Sequence, residues 1–154
     1  MGLILDVTTR RAFLKVIAGL AAGMSIAPGI VFEKLSYADV KKAANPGKMT
    51  EMEAMHMPVV DLPIIAEDGR YVPVKVRVNH PMTQDHYIKS IEIVDNVSPV
   101  KSKGRFNLTY LNGEAYLMTR IKLAKSATVT AIAECSLHGK WAGESFIKVT
   151  LGGC

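Results

Sequence analysis

Aromatic residues make up only 6% of this 154-residue chain, and cysteines number two. Two cysteines exclude a disulfide scaffold and leave room for one bridge. No glycine loop of the phosphate-cradling kind is present, nor a c-type haem motif. No basic run with interleaved aromatics occurs either, and the charge is mild. The formal net charge is +5, but residues 1–38 contribute four basic and two acidic side chains. The remainder carries 15 basic and 12 acidic side chains, a net of +3 that argues against nucleic acid as a partner. Apolar residues account for 49% of the chain, so one domain with a core of Val, Ile, Leu, Met and Ala is within reach.

The front of the chain reads as an export address. Arg10 and Arg11 form a twin-arginine pair, and Phe13, Leu14 and Lys15 extend it to the pattern [ST]-R-R-x-F-L-K. A mildly apolar stretch follows from Val16 to Phe32, interrupted by Gly19, Gly23 and Pro28. Ser36-Tyr37-Ala38 places small residues where a signal peptidase reads them. Residues 1–38 are therefore expected to be a twin-arginine signal helix cleaved after Ala38. The product would be a periplasmic protein exported folded, with no stable membrane insertion after cleavage.

Residues 39–60 read as a short helix (Asp39–Asn45, ended by Pro46-Gly47) and a methionine-rich lead-in. From Asp61 the apolar period becomes two. Val72, Val74, Val76 and Val78 alternate with Pro73, Lys75 and Arg77, and Asp68-Gly69 ahead of them reads as a hairpin turn. Further strands are marked by Ile88–Ile93, by Phe106, Leu108 and Tyr110, by Ala115–Leu123, by Val129–Cys135 and by Ser145–Leu151. Asn112-Gly113 reads as a second hairpin turn, and Ser136–Gly143 as a turn region. About seven strands with turns every 8–12 residues indicate an all-β fold, an antiparallel immunoglobulin-like β-sandwich over 61–151.

The chain ends Leu151-Gly152-Gly153-Cys154. Two glycines after a strand remove conformational preference, and three residues reach about 10 Å past the sheet. Residues 152–154 thus read as a flexible arm carrying a thiol, which an exported protein would not keep exposed without use. With Cys154 as the last residue of the sequence, its α-carboxylate is expected to push the thiol above its usual range.

The stretches "LPIIAEDGRYVPVKVRVNHPMT", "YIKSIEIV", "TRIKLAKSATVTAIAE" and "KVTLGG" with its cysteine resemble the SoxY family, the sulfur-carrier subunits of the periplasmic thiosulfate-oxidising system. The family tail reads GGCGG, where this sequence ends at Cys154. The resemblance implies that Cys154 is the covalent attachment point for thiosulfate-derived sulfur intermediates, with Gly152 and Gly153 as its arm. It implies a heterodimer with a SoxZ-type β-sandwich subunit. A haem enzyme that loads the thiol and a sulfate-releasing hydrolase would be transient partners. The carrier itself would be no enzyme and would hold no cofactor beyond the sulfur on Cys154.

Other residues carry weaker signals. Cys135 reads as a small buried hydrophobe, with a masking bridge to Cys154 as its rival. Met49, Met52, Met55, His56 and Met57 offer soft ligands of the copper(I) kind, and the plainer reading is adaptable apolar packing. His80, His86 and His138 lack metal-site spacing and read as surface residues, so no metal site is expected. Asp61, Glu67, Asp68 and Asp85 form no acid–base pair, and Ser145 has no base beside it. Two further functions remain open on these residues: a periplasmic methionine-rich copper-binding protein, and a non-catalytic immunoglobulin-like interaction module.

Overall fold

The computed structural model describes residues 39–151; the expected leader with Arg10 and Arg11, and the arm Gly152, Gly153 and Cys154, lie outside the described residues. Nine strands and one short helix follow in the order β1 (Val40–Lys41), α1 (Glu51–His56), β2 (Pro58–Asp61), β3 (Ile65–Asp68), β4 (Val72–Val78), β5 (Ile88–Asp95), β6 (Ser102–Asn107), β7 (Ala115–Ile121), β8 (Ala127–Cys135) and β9 (Gly139–Leu151). They form the expected immunoglobulin-like sandwich. The larger sheet has the order β1-β9-β8-β5-β6, and the smaller is β2-β4-β7. Strand β3 pairs with the far end of β9. Among the described residues no helix is long and apolar enough to cross a membrane.

The alternation in β4 does what its period dictates. Val72, Val74, Val76 and Val78 are buried while Pro73, Lys75 and Arg77 are exposed. The valines pack with Ile91 and Ile93 of β5, Val129, Ala131 and Ala133 of β8, and Ile147 of β9 in one core. Burying each such valine contributes about 1.5–3 kcal/mol, so β4 alone anchors one face of the sandwich. Ladder pairing of β4 with β2 on one side and β7 on the other fixes its register.

Four expectations are corrected. Asp68-Gly69 closes no hairpin, because β3 pairs in parallel with β9 rather than with β4, and the Gly69 N–H donates to the Leu151 carbonyl. Asn112-Gly113 does not return β6 on itself. It ends a 3-10 turn (Tyr110–Asn112), with Gly113 at φ +73°, and carries the chain across to the other sheet. Both dipeptides are turn formers, but the buried faces choose their partners across the sandwich instead of along the chain. The short helix lies at Glu51–His56, not at Asp39–Asn45. A capping box places it there: the Glu53 N–H donates to Thr50 Oγ1 (3.3 Å), and the Glu53 carboxylate accepts from the Thr50 N–H (2.8 Å). The last strand begins at Gly139 rather than Ser145, after a turn of three residues that needs Gly139 at φ +78°.

That longer β9 contains Gly143, buried and facing β2. A Cβ at Gly143 would land on the carbonyl oxygen of Pro58, two residues beyond His56. Only glycine lets β2, and the end of α1 behind it, lie this close. Replacing Gly143 by Ala is expected to cost about 2 kcal/mol or more, read as a lowered urea midpoint, because backbone must shift to make room. Gly47→Ala meets only an ordinary contact in a loop and should leave the midpoint nearly unchanged.

Candidate metal centre

Five side chains converge at one end of the sandwich. His56 ends α1, His80 follows β4, His86 precedes β5, Cys135 ends β8, and His138 sits in the turn into β9. They include all four histidines of the chain. His56 Nε2 lies 3.0 Å from His138 Nδ1, and His86 Nε2 lies 3.1 Å from the same atom. His80 Nε2 lies 3.0 Å from His86 Nε2. Cys135 Sγ lies 3.4 Å from His80 Nε2 and 3.7 Å from His138 Nδ1. The donor atoms of His56, His86, Cys135 and His138 all fall within 4.8 Å of one another.

The local structure aims these atoms. In His56, Nδ1–H donates to the Met52 carbonyl one helical turn earlier, at 2.8 Å. In His80, Nδ1–H donates to the Pro81 carbonyl at 2.6 Å. Each bond fixes the tautomer and leaves the Nε2 lone pair turned inward, the arrangement a metal-ligating imidazole uses. His56 also stacks on Trp141, with ring centroids 5.3 Å apart, and Lys41 Nζ stands 5.2 Å above the indole. The Lys41 ammonium donates to the His138 carbonyl at 3.2 Å, placing a cation beside the cluster.

Burial sets the protonation. It pushes His80 from 6.5 down to about 4, partly opposed by the bond to Pro81 and reinforced by the other histidines. Burial also lowers His56, opposed by its bond to Met52 and reinforced by His138, His86 and Lys41. Both rings are therefore neutral bases at pH 7. Cys135, His56 and His80 are buried, whereas His86 and His138 are half-buried, so the cluster opens toward solvent on their side.

Four imidazole nitrogens and one thiol sulfur fit a first-row transition metal. The donors are too many for a closed tetrahedral zinc site, and they are nitrogen and sulfur rather than the oxygens that magnesium or calcium takes. No carboxylate belongs to the set.

His80, His86 and His138, expected at the surface, thus belong to the site together with His56. Cys135 is buried as expected, but its sulfur faces histidines rather than only the core. The partner of the alternative bridge, Cys154, lies outside the described residues, among which Cys135 is a free thiol. The copper reading of the methionine segment loses its imidazole, because both His56 nitrogens are engaged by the Met52 carbonyl and the cluster. One signal in the sequence could have found the site. Cys135 and His138 stand three apart across a turn, a spacing at which one hairpin offers two ligands.

Comparison with known proteins divides along the same line. The family model described as "Sulfur oxidation protein SoxY" matches residues 44–154. The solved sulfur carrier SoxY of Chlorobium limicola f thiosulfatophilum shares the fold, with TM-score 0.50 at 19% identity over 63% of this chain and 86% of that one. The superoxide reductase (neelaredoxin) of Ignicoccus hospitalis superposes with TM-score 0.63 at 26% identity, over 74% of this chain and 98% of that one. A Thermotoga maritima protein named "Putative superoxide reductase" is 29% identical over 115 residues, 62% of this chain and 86% of that protein. The four donors of His56, His86, Cys135 and His138, with His80 against them, and these similarities overturn two expectations, that the chain takes no cofactor and that it is not an enzyme.

The metal-free protein should lose stability as pH falls from 6.5 toward 4. The unfolded chain protonates its histidines near 6.5, the folded chain resists until about 4 at His80, and the difference in bound protons favours unfolding across that window. Urea midpoints at pH 7.5, 6 and 5 check this. They should fall in that order, and His80→Gln should flatten the slope. A constant or rising midpoint would contradict the burial of His80 as a neutral base.

Proposed function

The chain belongs to the SoxY family of sulfur oxidation proteins, and from that premise and the cluster of four histidines with Cys135 we propose a metal-dependent oxidoreductase that reduces superoxide. The observation that carries this reading is the convergence of His56, His80 and His86 through Nε2, His138 through Nδ1 and Cys135 through Sγ. In the reaction superoxide takes up one electron from an external reduced donor and two protons from water, and leaves as hydrogen peroxide. A bound iron ion, suited to a mixed imidazole and thiolate set, supplies the one-electron redox chemistry that no side chain of the cluster can.

The protein's own part is positioning and charge. His56 and His80 are held neutral and oriented by the Met52 and Pro81 carbonyls, so they bind without first losing a proton. Cys135 would contribute the soft sulfur donor from the buried side. Half-buried His86 and His138 leave the approach open, and the Lys41 ammonium favours an anionic substrate there. Export by the twin-arginine route, expected from Arg10 and Arg11, would carry the folded chain with its metal already inserted and would put the activity in the periplasm.

Iron-loaded protein with a chemical reductant should consume enzymatically generated superoxide and release peroxide in equal amount. Cys135→Ala and His138→Ala should each lower this rate at least about 100-fold, the order of loss when a metal ligand or its support is removed. Iron-loaded protein that consumes no superoxide would overturn the reading.

A second function is supported by family membership and by the GGC tail, which the family match includes. Cys154 would carry thiosulfate-derived sulfur, presented by a heterodimer with a SoxZ-type subunit to a loading haem enzyme and a hydrolase. Intact-mass measurement after incubation with thiosulfate and a mild oxidant should show an adduct that Cys154→Ala abolishes. An adduct that survives the substitution would remove Cys154 from this role.

A further inference from the structure

The methionines are distributed unevenly. Six of the eight lie beyond residue 38, and five of those stand within seven residues of a cluster histidine: Met49, Met52, Met55 and Met57 around His56, and Met82 between His80 and His86. Core packing does not explain all of them, since Met49 and Met52 are 43% and 48% exposed. Met52 lies one helical turn before His56 and holds that ring through its carbonyl. The sixth, Met118, is 61% exposed on the outer face of the smaller sheet, opposite Lys75. Exposure alone would make Met118 the easiest of the three to oxidise.

We propose that Met49 and Met52 are modification sites that intercept hydrogen peroxide leaving the cluster; this rests on the superoxide-reducing function. In the step, the thioether sulfur attacks one peroxide oxygen and the O–O bond breaks. One oxygen stays on sulfur as the sulfoxide, and the other leaves as water with both protons. Sulfur loses two electrons and peroxide gains two, so no further reactant is needed. The consequence is protective. Methionine sulfoxide is repaired by reductases, whereas successive oxidation of the Cys135 sulfur ends in acids that are not restored. Both thioethers stand on the segment that ends in His56, Met52 inside α1 and Met49 just before its cap, so the proposal gives them first access to the product.

The test is peptide mass mapping of the iron-loaded full chain during turnover with enzymatically generated superoxide and a chemical reductant. Catalase is present to remove peroxide that escapes to bulk, and superoxide consumption is followed in the same samples. Sulfoxide at Met49 and Met52 should exceed that at Met118 by at least about threefold. In a parallel sample of metal-free protein given peroxide in bulk, Met118 should be oxidised at least as fast as the other two. The Met49→Leu/Met52→Leu variant should inactivate after several-fold fewer turnovers, each protein scored against its own initial rate, with oxygen adducts appearing on Cys135. Superoxide consumed with equal labelling at all three methionines, or with none once catalase is present, would overturn the inference and leave the function standing. No superoxide consumed would overturn both.

Discussion

Everything distinctive about this molecule follows from crowding four imidazoles and a thiol into a few ångströms without a carboxylate in the set. Ring nitrogens at 3.0–3.1 Å from one another present lone pairs that repel or compete for the same proton. Such an arrangement has a low energy only when the pairs share a cation. The surrounding polypeptide therefore has to hold the rings against their own preference. Backbone carbonyls at Met52 and Pro81 do this for two of them, and the sandwich supplies the rest by ending three elements at one place.

The immunoglobulin-like frame is well suited to that task. Its strands are long and locked in register, so their ends are reproducible positions in space. The His56 side depends on a close approach, with Gly143 in β9 against the carbonyl of Pro58 just past α1. Trp141 from the same strand stacks on His56. Strand β9 thereby shapes the centre at its beginning and carries the GGC tail after its end.

Much of the scaffold was legible in the sequence because period-two burial is a local signal. The valines of β4 announce their inner face residue by residue, and the sandwich follows from several such runs. Strand partners were less legible. Asp68-Gly69 and Asn112-Gly113 have hairpin chemistry, yet cross-sheet packing sends the chain elsewhere at both. The capping box at Thr50 and Glu53 was readable and outweighs the weaker propensity of Asp39–Asn45. The centre itself was nearly invisible, because its ligands come from four separate places in the chain and meet only through the fold. Only Cys135 and His138 are near neighbours in sequence. The thiol with the stronger local signal, Cys154 behind its two glycines, lies outside the described residues and belongs to none of these ligand positions.

The central claim is that one metal ion is held by four imidazoles and the Cys135 thiolate. X-ray absorption at the iron edge of the iron-loaded protein tests it most directly. The account predicts a first shell of nitrogen donors with a single sulfur, and loss of that sulfur in Cys135→Ser while Cys154→Ser leaves the spectrum unchanged. A shell without sulfur, or one whose sulfur disappears with Cys154 instead, would contradict it.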